Sequence, residues 1–177
     1  METAVWAARL ACLAFGIGVG LILSERVCSR LCSAFAPGEA MLMKFMLGTG
    51  KTVVACAAAA VTAPLPASVA ILYTGLGILA AHSFEGKPKQ GTVLAVVCPW
   101  VILYLPFTGA LACLGGGLLV LAADVPAVAG LAMTVLAAPM ALLQFGPEGG
   151  LVLLAAAGLV CPGQIFAARY MQGREKI

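Results

Sequence analysis

The chain has 177 residues, 63% of them hydrophobic and only 10% charged, with a formal net charge of +3. Soluble domains run nearer ~45–50% apolar and ~25% charged, so a soluble fold of this composition would lack the polar side chains to cover its surface. A mean hydropathy of +1.09 places most side chains in lipid, and the length allows about six or seven spans of ~20 residues with short connections. The expected fold is therefore all-α: a polytopic helical membrane protein of about seven transmembrane helices, forming one integral-membrane domain over residues 1–177. The apolar runs are continuous rather than alternating, which argues against a β-barrel. No nucleic-acid partner is expected.

The first apolar run, residues 4–23, has Arg9 as its only basic residue and no distinct small-residue cleavage pattern, so it reads as a span rather than a cleaved signal. A polar connector follows over 24–40. The second span covers 41–62 and is ended by Ala63-Pro64-Leu65-Pro66. The third covers 67–81. The polar stretch Ala81-His82-Ser83-Phe84-Glu85-Gly86-Lys87-Pro88-Lys89-Gln90-Gly91-Thr92 then precedes a fourth span over 93–105, expected to be broken around Pro99 and Pro106. The fifth span covers 108–123 and the sixth 127–145. Gly146-Pro147-Glu148-Gly149-Gly150 reads as a loop. The seventh span runs from Leu151 into a basic tail.

The basic residues alternate between connectors. Arg26 and Arg30, then Lys87 and Lys89, then Arg169, Arg174 and Lys176 lie in one alternate set, and the connectors 63–66, 106–109 and 146–150 hold none. Under the positive-inside rule this places the N-terminus outside and the C-terminus in the cytoplasm. Arg9, near the outer end, is the exception.

Few residues in such a chain can carry chemistry. Lys51 lies deep in the second span, where a charge costs about 2.5–3.5 kcal/mol on insertion scales. It is expected to face the bundle interior and pair with an anion, whereas Lys44 is placed to snorkel to an interface. The run Gly48-Thr49-Gly50-Lys51-Thr52 is not a P-loop, because Phe45 occupies the position of the required first glycine and the surrounding segment is apolar. Lys87 and Lys89 read either as topology determinants or, with the turn-forming Gly86, Pro88 and Gly91 and exposed backbone N–H groups, as an anion site. His82, the single histidine, either donates to the same anion or caps its helix. Asp124 and Glu148 fall in connectors on opposite sides and cannot pair. The seven cysteines lie mostly in apolar runs and read as reduced small hydrophobes; Cys28 and Cys32 lack a second ligand pair at zinc spacing. No metal and no cofactor are expected.

Three segments resemble the bacterial acyl-phosphate:glycerol-3-phosphate acyltransferases of the PlsY type. Ala81-His82-Ser83-Phe84 through Gly91-Thr92-Val93 is similar to that family's Gly-His-x-Phe-Pro … Lys-Gly-Gly-Lys-Gly-Val loop. Leu47-Gly48-Thr49-Gly50-Lys51-Thr52 is similar to its Asp-x-x-Lys-Gly segment, and Arg169-Tyr170-Met171-Gln172-Gly173-Arg174-Glu175-Lys176 to its closing Arg-Leu-Leu-x-Gly-Thr-Glu tail. The resemblance implies a multi-pass enzyme of the bacterial inner membrane, with membrane lipid around it. Such an enzyme moves a fatty acyl group from acyl phosphate to the 1-hydroxyl of glycerol 3-phosphate, giving lysophosphatidate for phospholipid synthesis. It further implies His82 as a catalytic residue and Lys51, Lys87, Lys89, Ser83 and Gly91 as phosphate- or substrate-binding residues. The chain departs from the family at several places: residues 24–43 hold no asparagine where the family has a Gly-Ser-Gly-Asn-x-Gly-x-Thr-Asn motif, and Glu85 stands in place of the proline after Phe84. These departures define the alternative reading, a catalytically degenerate relative that serves as a structural membrane subunit or lipid-binding scaffold with a membrane-protein partner.

Overall fold

A computed structural model describes residues 2–22, 30, 37–84, 90–123 and 126–174. Among the described residues the chain is entirely helical, with seven helices and no strand: α1 (Glu2–Ile22), α2 (Pro37–Thr62), α3 (Ala67–Phe84), α4 (Gln90–Tyr104), α5 (Pro106–Ala123), α6 (Pro126–Phe145) and α7 (Pro147–Arg174). Four of them begin on proline, which loses nothing at a first helical position whose N–H has no intrahelical partner. Gly146 ends α6 at φ 78°, the left-handed conformation a glycine adopts without a Cβ penalty, and its N–H donates to Leu142 O at 3.1 Å. Pro147 then starts α7 at once. The expected loop over 146–150 is thus a single-residue link.

Several other boundaries also differ from expectation. α2 starts at Pro37, taking in the end of the presumed connector; α3 runs on through His82 to Phe84; and α7 carries the presumed tail as helix to Arg174. Pro99 lies inside α4 without breaking it. A proline at position 99 leaves the carbonyl of residue 95 without its helical donor. Here Thr49 Oγ1 of α2 donates to Ala95 O, at a long 3.4 Å. A neighbouring hydroxyl thus takes over the freed acceptor, which is how apolar bundles tolerate internal proline.

Consecutive helices alternate in direction. α2 and α3 are antiparallel, since Cys56 meets Ile71 while Lys51 meets His82. α1 lies parallel to α3, with Gly16 against Thr74 and Gly77, and Gly20 against Ala81 and Ile78. α7 is also parallel to α3: Tyr73 reaches Glu148 and Ser83 reaches Leu159. One end of the bundle therefore gathers the starts of α1, α3, α5 and α7, and the other gathers their ends.

Small residues fill the interior, and many of the large apolar side chains face out. Buried positions include Ala55, Ala70, Ala95, Ala129, Ala141 and Ala156, whereas Val61, Phe107 and Leu143 are 85%, 78% and 79% exposed. Close helix approach through small residues is the packing expected where lipid removes any hydrophobic reward for burying large ones. Trp100 is the largest fully buried side chain. It packs against the bare Cα of Gly75, in the space a Cβ there would fill, and donates from its indole N–H to Ile71 O at 3.1 Å. Two helical segments, Glu2–Ile22 and Leu42–Thr62, are long and apolar enough to cross a membrane.

Candidate functional site

The run Gly48–Thr52 lies within one continuous helix, α2, so its glycines form no phosphate-cradling loop. Helical winding keeps Thr52 Oγ1 on Gly48 O at 2.9 Å and turns Lys51 inward. Lys51 is 7% exposed and His82, from the last turn of α3, is 3% exposed. Their nitrogens, Lys51 Nζ and His82 Nε2, stand 2.6 Å apart across 31 residues of sequence. The antiparallel packing of α2 on α3 makes this meeting possible. Lys51 sits about 21 Å along α2 from Pro37 at ~1.5 Å per residue, and His82 sits at the end of α3 that passes it.

A contact this short needs one donor and one acceptor. An ammonium has only donors, so opposite a charged Lys51 the imidazole must be neutral and offer its Nε2 lone pair. With a neutral amine the roles reverse, and His82 N–H donates. Either way the pair is a compact, buried basic centre, with one nitrogen supplied by each helix.

Of the other expected site residues, Ser83 is half-buried and its hydroxyl points to Leu79 O at 3.1 Å and Leu159 O at 3.3 Å. Its single proton is shared between a carbonyl of its own helix and one of α7. Gly91 lies in the first turn of α4. Lys87 and Lys89 lie outside the described residues, as do Cys28, Cys32 and Asp124. Among the described residues no group of three or more His, Cys, Asp or Glu side chains is placed to hold a metal ion.

A second polar centre, not anticipated from the sequence, occupies the opposite end of the bundle. Arg9 of α1 forms a 2.7 Å ion pair with Glu148 of α7, and Tyr73 OH of α3 donates to the other Glu148 oxygen at 2.9 Å. The guanidinium also lies 4.6 Å over the Trp6 ring and 5.9 Å from that of Tyr73. One carboxylate thus joins three helices. The available signal was the charge count itself, which gives Arg9 and Glu148 the same expected side; their pairing depends on α1 and α7 both lying against α3. The side chains are 17% and 35% exposed, between the weak surface pair and the strong buried one. Glu148→Gln should therefore lower stability by about 1–2 kcal/mol, and a double-mutant cycle with Arg9→Met should recover a coupling near that size. A coupling indistinguishable from zero would make the contact incidental.

Fold and site together define a helical bundle with a buried lysine–histidine centre near one end and an ion-paired clasp at the other. Compared with protein-family models, with curated proteins and with solved structures, the chain gave no match in any of the three.

Proposed function

We propose that the chain is a seven-span protein of the bacterial inner membrane, with its N-terminus outside and its C-terminus in the cytoplasm, and that the Lys51–His82 centre handles a phosphorylated substrate. Large apolar side chains left exposed, such as Val61, Phe107 and Leu143, support the membrane placement, since lipid is the solvent in which their exposure costs nothing. Helices of 18 residues span ~27 Å, close to the ~30 Å hydrocarbon core. The charge alternation supports the orientation, and it puts His82 and the following Lys87 and Lys89 on the cytoplasmic side.

The activity that fits best is transfer of a fatty acyl group from acyl phosphate to glycerol 3-phosphate. The observation that carries it is the convergence of Lys51 and His82, two buried basic groups 31 residues apart, immediately before a segment with two more lysines. In the reaction the 1-hydroxyl oxygen of glycerol 3-phosphate bonds to the acyl carbon and the acyl–phosphate C–O bond breaks. Phosphate leaves with the electron pair, and the hydroxyl proton passes to it. Lys51 offsets the charge on the departing phosphate, and His82 donates to the same anion. Lys87 and Lys89 hold the glycerol 3-phosphate phosphoryl group. Positioning and electrostatics dominate such a site.

The test is phosphate release by the full chain in proteoliposomes given acyl phosphate and glycerol 3-phosphate. Lysophosphatidate should appear with the phosphate, and Lys51→Ala should lose both by about two orders of magnitude, the scale of one lost electrostatic donor. Wild-type release no greater than that of Lys51→Ala would reject the activity. Recovery of a stoichiometric membrane-protein partner would then favour the scaffold reading.

A further inference from the structure

We infer that the Lys51–His82 pair takes up a proton when an anion enters it, so that the site binds doubly charged anions more tightly as the pH falls. This rests on the proposed function insofar as it places an anion at the pair. The geometry supplies the rest. With Nζ and Nε2 at 2.6 Å one nitrogen must lend a lone pair to the other, so the closed pair carries at most one positive charge. A tetrahedral dianion that enters between the two side chains replaces that contact with oxygens for both. Each nitrogen then points a proton at the ligand, the pair carries two positive charges, and these cancel the two negative ones. The second proton comes from solvent. Affinity must therefore depend on pH through linkage, strengthening as pH falls through the histidine's range in the complex.

The groups that the neighbouring elements place around the pair can be named among the described residues. α1 presents Gly20 to the Ala81 turn, and α4 presents Ala95 to Gly48; α7 presents the Leu159 carbonyl to Ser83. On α2 itself, Lys44 stands two helical turns before Lys51 and on the same face. Cys98, one turn beyond Ala95 on α4, is contacted by Cys113 of α5. Arg9 and Glu148 are engaged with each other at the other end of the bundle. Glu85, Lys87 and Lys89 lie outside the described residues, and replacing His82 separates their effect from that of the pair.

Sulfate is the suitable probe, because it stays a dianion from pH 8 to 6 and any proton taken up belongs to the protein. Titration calorimetry of the full chain in lipid nanodiscs, run in two buffers of different ionisation heat, reads affinity and proton uptake together. The expected result is uptake approaching one proton per sulfate, with affinity rising up to about tenfold per pH unit lowered. His82→Gln should bind sulfate more weakly and without that pH dependence. Sulfate binding with no proton uptake, no sulfate binding at all, or an unchanged pH dependence in His82→Gln would each overturn the inference. The phosphate-release assay separates this from the activity: turnover without uptake removes only the proton coupling, and uptake without turnover removes only the acyl transfer.

Discussion

Lys51→Met should abolish phosphate release while leaving the bundle at least as stable as before. The variant keeps an unbranched side chain of similar length in a site only 7% exposed and removes the charge. Placing that charge in an apolar helix costs about 2.5–3.5 kcal/mol on insertion scales. Against this, His82 loses its contact with Lys51, and one lost hydrogen bond costs about 1.5 kcal/mol. The first effect is the larger, so the expected net change is a gain of about 1 kcal/mol, with the melting temperature unchanged or raised. Activity should fall at least about 100-fold, equivalent to ~2.7 kcal/mol of lost transition-state stabilisation. The double variant Lys51→Met/His82→Leu should be more stable still, because it also removes the cost of burying a polar ring that is 3% exposed. Thermal unfolding in a fixed detergent, set beside turnover, checks both halves. A Lys51→Met protein that fails to fold would mean that the pair holds the bundle together rather than serving a substrate.

The second large effect is expected at the crossing of α1 and α3. A Cβ on Gly16 would collide with the backbone carbonyl of Thr74, and one on Gly77 with that of Leu13. Both obstacles are main chain, which no rotamer change can move aside, so Gly16→Leu must push the helices apart. Overpacking of this kind costs about 1–3 kcal/mol and sometimes more; the upper end is expected here because α1 depends largely on α3 for its contacts. Gly18 is the internal control. A Cβ there meets nothing within 4 Å, so Gly18→Ala should be neutral or stabilise by up to about 1 kcal/mol through helix propensity. Equal melting temperatures for Gly16→Leu and Gly18→Ala would disprove the close crossing.

The clasp at Arg9, Glu148 and Tyr73 shows where reading the sequence stops short. Arg9 stood out as a charge on the wrong side of the pattern, and Glu148 as an isolated carboxylate in a turn. Pairing them across 139 residues needs the relative placement of α1, α3 and α7. Hydrophobic periodicity offers no guide to that placement, because helices apolar on every face carry no stripe that identifies the buried side. The same limit applies to Pro99. Its local chemistry argues for a break, and only the arrival of Thr49 from α2 shows why the helix continues.

The sequence by itself determined the helical class, the approximate position of each helix and the inward placement of Lys51. These follow from terms local to a segment: apolar content, proline and glycine punctuation, and the high cost of a charge on the outer face of an apolar helix. Only the tertiary structure decided that Lys51 meets His82, that the Ser83 hydroxyl comes within reach of the Leu159 carbonyl of α7, and that the turn at 146–150 shrinks to Gly146. Those outcomes depend on the register between helices. Register here is set by a few backbone contacts at Gly16, Gly75 and Gly77, where the absence of a side chain lets two helices, or a helix and the Trp100 ring, come close enough for distant polar groups to touch.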